Sequence, residues 1–208
     1  MSGRVIGKAL ARAAALVAIA TLALGVLYPF AVGAVGRMAF PWQAQGSIIE
    51  VDGVKYGSAQ VGQPFSDDTH MWGRPTVADA TLFQGADGQP LLWYGPDNLS
   101  PASQQFAQRV EERVAAVRAA HPDQGSAPVP SDLVTVSGSG FDPHISPAAA
   151  EYQVGRISQA TGRSPQEVRA IIRQCTEKPL LGVIGQERVN VLEVNLMLDG
   201  VLEAVPNR

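Results

Sequence analysis

The sequence predicts an α+β fold: a single N-terminal transmembrane helix followed by one extracytoplasmic α+β domain. Three observations carry that reading. Residues 13–36, AAALVAIATLALGVLYPFAVGAVG, contain no charged side chain. Helix-start punctuation recurs in the second half, at Ser146-Pro147 and at Ser164-Pro165-Gln166-Glu167. Strand-like runs flank Asp52-Gly53 and alternate through VNVLEVNLMLD at 189–199. The 208 residues suffice for one medium domain with a core.

The elements divide the chain into a cytoplasmic N-terminus (1–12), a membrane span (13–36) and the exported domain (37–208). Twenty-four residues of helix reach about 36 Å, longer than the roughly 30 Å hydrocarbon core of a bilayer. A secretory signal competes, because it too has a basic start and an apolar middle. Its apolar region is typically only about 7–15 residues, which favours a retained anchor. Arg4, Lys8 and Arg12 precede the span and Arg37 alone follows closely, so the positive-inside rule keeps the N-terminus in the cell. A single-pass membrane protein with its domain outside is the expectation. The span is rich in Ala and Gly, which suits close packing against another membrane helix, and Pro29 suggests a kink near its outer end.

From residue 37 onward, 13 cationic side chains face 19 acidic ones, a formal charge of −6. Such a domain is a poor partner for nucleic acid. Cys175 is the only cysteine, so no intrachain disulfide exists; it reads as a core position on a helix. Ile48, Ile49 and Val51, then Asp52-Gly53, then Val54 and Tyr56 predict a hairpin. Residues 60–101 show little periodicity and read as loop-rich, with Trp72, Trp93 and Tyr94 as core or interface anchors and Arg74 facing Asp67, Asp68 or a partner's carboxylate. Ser100-Pro101 opens a helix with Phe106, Val110, Val114 and Val117 on one stripe, and Pro122 ends it. Residues 122–130 read as a linker or lid-like loop. Ser146-Pro147 starts a second helix that Gly162 stops. Ser164 and Glu167 form a capping box for a third, whose buried face is Val168, Ile171, Ile172 and Cys175. Alternation at 189–199 predicts a half-buried strand.

The chemical-looking stretch is TVSGSGFDPHIS, residues 135–146. A nucleophile elbow needs Gly where Ser137 stands, and Ser139, Asp142 and His144 are too close in sequence to converge as a triad. Asp142 and His144 make at most two metal ligands, with His70 and His121 the remaining histidines, so no metal site is expected. No Walker pattern occurs. The reading that remains is an ordered loop, turned by Gly138 and Gly140, with Ser146 capping the next helix and the whole available as a docking surface.

VPSDLVTVSGSGFDPHIS (129–146), continued by AAAEYQVGRIS, closely resembles the C subunit of the bacterial Kdp-type potassium-transporting P-type ATPase, with Phe141 in place of the family's usual Leu. Tyr28-Pro29, Gly46-Ser47, VGQPF at 61–65, WGRPT at 72–76 and RVNVLEVNLMLD at 188–199 extend the likeness. The resemblance implies an accessory, non-catalytic subunit of a high-affinity ATP-driven potassium importer. Its implied partners are a K⁺-selective A subunit, an ATP-hydrolysing B subunit, a small F subunit and membrane lipid. The family's C subunit is described as needed for assembly and as a catalytic chaperone that raises the ATP affinity of the B subunit, so ATP is the partner's ligand and the chain has no cofactor of its own. YGPDNLSPAS at 94–103 departs from the family's Gly-rich, nucleotide-like segment and leaves Gly95 and Asn98 as the candidate contacts. An exported domain cannot reach cytoplasmic ATP; its influence on the B subunit must then cross the membrane allosterically. Two alternatives stand: a secreted single-domain binding protein, and an outer cap over the A subunit's ion entrance that gathers K⁺ through Asp67, Asp68 and Asp142. Gly138, Gly140, Asp142, His144 and Arg74 are the subunit-interface candidates.

Overall fold

The structure, a computed structural model, describes residues 3–85 and 88–205, and the side chains of 78–83 and 90–94 lie outside that description. Two compact units emerge, Met1–Ile48 and Ile49–Arg208.

Most of the first unit is one long helix. α1 (Gly3–Leu22) passes through a π-helical turn (Ala23–Leu27) into α2 (Tyr28–Ala39). Neither α1 nor α2 has a buried residue, and the mean hydropathy reaches 2.2 along the helix. Among the described residues it is the one helix long and apolar enough to cross a membrane. Pro29 has no N–H and crowds the preceding turn; the wider turn absorbs this, with Tyr28 N–H donating to Ala23 O five residues back. The helix runs past residues 13–36 at both ends. It breaks at Phe40, where φ is −137°, before the short α3 (Pro41–Ala44).

The second unit opens with the expected hairpin. β1 (Ile48–Val51) and β2 (Val54–Ser58) are joined by Asp52 and Gly53 at φ 52° and 77°, the pair of left-handed residues a two-residue turn requires. A further hairpin corrects the loop-rich expectation for 60–101. β3 (Val77–Gln84) pairs antiparallel with β4 (Pro90–Gly95), and the register is interrupted between Asp79 and Phe83, which hides the alternation.

α4 (Gln104–Ala120) starts later than expected. Ser103, not Ser100, accepts from Phe106 N–H as its cap. Ser100 instead anchors a turn: its hydroxyl accepts from Ala102 N–H and its carbonyl from Ser103 N–H. Residues 122–130 begin with a short 3-10 turn, and Ala127 and Val129 pack against the core rather than standing off as a lid. Ser146 caps α5 (Pro147–Tyr152). Gln153 separates it from α6 (Val154–Thr161), which Gly162 ends at φ 72°. α7 (Pro165–Gln174) carries the predicted capping box. β5 (His144–Ile145), β7 (Arg188–Asn190) and β6 (Thr176–Glu177) form a small antiparallel sheet in the order β5-β7-β6.

The largest correction falls on 189–199. Only its first residues are strand; Val191–Leu198 is a helix, α8. All eight residues of α8 are buried, so the apparent alternation has no solvent face to report. Asn190 caps it by accepting from Glu193 N–H. α5, α6 and α7 supply Ala149, Ile157 and Val168 to the same core, with Met71 and Val189.

Segment 59–72 has no strand partner, yet it is fixed. Asn195 clamps Met71 twice, accepting from its N–H at 2.7 Å and donating to its carbonyl at 3.0 Å. Gln153 does the same to Trp72, at 2.8 and 3.0 Å. Asn190 donates to Ala59 O. Arg156 donates to the carbonyls of Asp67, Asp68 and His70, and to Gln153 Oε1 and His121 Nε2. Buried backbone groups must be paired, and here side chains in and at the ends of helices pair them in place of a sheet.

Candidate functional site

The 135–146 loop is built by its own short side chains. Ser137 Oγ accepts from Gly140 N–H at 2.9 Å, and Ser139 Oγ accepts from Phe141 N–H at 3.1 Å. Gly140 sits at φ 73°, and a Cβ there would overlap the backbone of Gly95. This is the turn and the close approach that demand glycine. Gly138 has open space around it and no positive φ, so its predicted tight-turn role falls to Gly140 alone. Gly62, from VGQPF, donates to Phe141 O at 2.7 Å, and Val191 N–H donates to Pro143 O at 3.0 Å. Segments far apart in sequence therefore meet on one loop.

Arg74 also arrives there. Its Nη1 lies 3.5 Å from Asp142 Oδ2, and its Nη2 donates to Val136 O at 3.2 Å. This corrects the expectation that it faces Asp67 or Asp68. Asp142 Oδ1 further accepts from His144 N–H at 3.0 Å. The His144 side chain, seconded by its N–H, holds the Asp142 carboxyl below its usual range, against the opposing effect of burial. The His144 ring stands 3.6 Å from both Asp142 and Glu177. No Ser139–His144 hydrogen bond forms among the described residues, and no group of three or more His, Cys, Asp or Glu there is placed to hold a metal ion.

Gly95 and Asn98 part company. Gly95 is buried at the end of β4 against Gly140, whereas Asn98 is exposed at φ 51°. Between them Asp97 accepts from Leu99 N–H and pairs with Arg109 at 3.5 Å. Loop and nucleotide-like segment thus share one backbone contact.

Asp67 is committed elsewhere. It accepts from Thr69 and pairs with His70 at 2.8 Å, while His70 reaches Asp199 at 3.0 Å on its other side. Burial works against the charge on Asp67, but the bonds from Thr69 and His70 prevail and hold its carboxyl well below the usual range. Burial likewise opposes the charge on His70, and its two carboxylate partners overcome it and raise its pKa. Trp72 packs under the Arg156 guanidinium, 4.4 Å from ring centroid, with His121 edge-on. That is the anchor role expected of it; the side chains of Trp93 and Tyr94 lie outside the described residues.

Around the loop lies a cleft of about 480 Å³ between α4 and the segments 61–65, 72–76 and 140–143. Arg113, Ala116 and Thr76 line it, none of which stood out in the sequence. Gln153 and Arg156 lie within AAAEYQVGRIS, the continuation of the signature, but the sequence alone assigns neither a role.

Comparison with known proteins fits this convergence of distant segments. A family model described as "KdpC: K+-transporting ATPase, c chain" matches residues 10–200. The chain belongs to the KdpC family. It is 46% identical over 183 residues to a potassium-transporting ATPase KdpC subunit of Clostridium botulinum (strain Eklund 17B / Type B), covering 88% of this chain and 91% of that one. To its counterpart in Sorangium cellulosum it is 47% identical over 176 residues, 85% and 89% of the two chains. The KdpC match takes in the apolar helix and the second unit alike, so Arg74, Gly140, Asp142 and Arg156 all fall inside it.

Proposed function

We propose that this chain is an accessory subunit of an ATP-driven potassium importer, needed for assembly, that raises the ATP affinity of the ATP-hydrolysing B subunit without holding nucleotide itself. It sits in the bacterial inner membrane with its N-terminus inside. Its partners are the A and B subunits, a small F subunit and lipid. The observation that carries the reading is the fate of the signature: Gly140 against Gly95, and Arg74 on Asp142, are spent on holding the exported domain together. In the nucleotide-like segment Gly95 is buried and Asp97 is tied to Arg109, which supports an influence on ATP that travels through the membrane.

The test is extraction of the full-length chain in mild detergent. A multi-span P-type ATPase should co-purify, and removing this chain should raise the ATP concentration needed for half-maximal hydrolysis. Asn98→Ala should leave that concentration unchanged. Purification of this chain alone, with an N-terminus processed near residue 34, would instead establish the secreted binding protein.

A further inference from the structure

The cleft beside the signature loop has a mixed lining. Val61, Phe65, Val117, Leu133, Val191 and Leu192 are apolar, and two guanidinium groups, Arg74 and Arg113, and one carboxylate, Asp142, also line it. Asp142 lies 3.5 Å from Arg74. Arg113 donates to Val134 O at 3.2 Å, and no carboxylate among the described residues pairs with it; the nearby Asp97 is taken by Arg109. The hydroxyl of Thr76, which also lines the cleft, is buried and without a hydrogen-bond partner among the described residues.

We propose that this cleft is a docking site for an extended segment of a partner pump subunit, one that sets an apolar side chain against the apolar lining and an Asp or Glu carboxylate on Arg113. The partner's identity as a pump subunit rests on the function proposed above. Charge complementarity selects the acidic group: a half-buried guanidinium with one carbonyl partner has donors left for a carboxylate. The volume lies within the roughly 300–1,000 Å³ of ordinary binding pockets, enough for a few side chains. Burial of Arg113 and repulsion from Arg109 both lower its pKa, which is the condition an incoming carboxylate relieves.

The experiment places a photo-crosslinking benzoylphenylalanine at Ala116, an exposed residue lining the cleft, in the full-length chain co-expressed with the other pump subunits. The expected product is a cross-link to a pump-subunit peptide with an Asp or Glu close to the attachment point. The same probe at Arg118, exposed and outside the cleft lining, should give no such product. A lipid adduct, or no adduct, at Ala116 while the pump subunits still co-purify overturns the docking site and leaves the subunit assignment standing. Failure to co-purify with any pump subunit fails that assignment instead, and the docking proposal with it. In parallel, Arg113→Gln should speed dissociation of the pump subunits in detergent about tenfold, with Arg113→Lys largely restoring retention. Equal retention by Gln, Lys and wild type, or equal loss by Gln and Lys at unchanged melting temperature, overturns the assigned carboxylate contact.

Discussion

Two apolar helices bracket this chain, and they keep opposite company. From Gly3 to Ala39 no residue of α1 or α2 is buried. In Val191–Leu198 every residue is. Apolarity alone therefore does not say which solvent a helix has. Length does part of the work: eight residues reach about 12 Å, far short of a bilayer core. Polar groups do the rest. The uncharged span from 13 to 36 offers nothing that needs a buried partner, and a lipid surface satisfies it. α8 carries Glu193 and Asn195 at its centre and Asn190 at its cap, and both asparagines are bonded to backbone from elsewhere in the domain. A polar residue in an apolar run marks the protein interior when a loop waits to be clamped.

The sharpest way to break that contrast is to remove a clamp. Arg156, on α6, makes five donor bonds and lies over Trp72, and its burial lowers its pKa to about 10. Arg156→Ala leaves the carbonyls of Asp67, Asp68 and His70 without their donor. We expect a loss of about 3–5 kcal/mol in chemical unfolding of the full-length chain in detergent. Asn195→Leu comes next. It removes one of the two polar side chains at the centre of α8 while stranding Met71 N–H and C=O, and should cost about 2–3 kcal/mol in the same assay. An unchanged unfolding midpoint for Asn195→Leu would show that greater apolarity alone keeps α8 in place.

These clamps also explain what the sequence did and did not disclose. Local signals were legible at Asp52-Gly53, the Ser146 and Ser164 caps and Gly162, where a single residue fixes backbone geometry, though not at the α4 cap, where Ser103 takes the place expected of Ser100. The core position of Cys175 was legible from helical spacing. The membrane helix was legible because one face needs no partner. α8 was misread because leucine and valine at 192, 194, 196 and 198 satisfy a two-residue period, and the residues between them are buried as well. Residues 59–72 gave no period because their order comes from Asn190, Asn195, Gln153 and Arg156, far away in sequence. At the site, the resemblance brought out Arg74 and Asp142 without pairing them; the ion pair depends on tertiary placement. Arg113 and Thr76 become neighbours of the loop only in the folded domain.

A smaller effect separates His70 from His121. His70 bridges Asp67 and Asp199, and its pKa is raised above the ordinary value. Its contribution is full below about pH 6.5, the unfolded value, and fades as pH rises through the raised one. His121 is the reverse case. Burial lowers its pKa, with Nδ1–H donating to Val117 O and Nε2 accepting from Arg156. Its contribution is full above about pH 6.5 and is lost on acidification. His70→Gln should therefore cost about 1 kcal/mol at pH 6 and approach wild type in alkaline buffer. A pH-independent difference between the two proteins would mean that His70 acts through packing rather than charge.

Between the two helices in character lies a third apolar segment. Leu180, Leu181, Val183 and Ile184 form a tight turn closed by Leu180 N–H on Ile184 O, with Leu181 and Gly182 at φ 55° and 76°. Leu181 and Val183 are 84% and 81% exposed, so this turn has the composition of the membrane helix and the solvent contact of a loop. Neither clamp nor core depends on it. Leu181→Ser with Val183→Ser should change stability by less than about 0.5 kcal/mol, the ordinary cost of a surface substitution. Val194→Ala, in the middle of α8, should cost about 1–3 kcal/mol by comparison, because the cavity it leaves has no solvent to fill it. If the double serine variant melts as early as the Val194 variant in the isolated full-length chain, the turn is covered there, and exposure in the domain no longer distinguishes it from α8. If the double variant loses stability only when the pump subunits are present, the cover belongs to them.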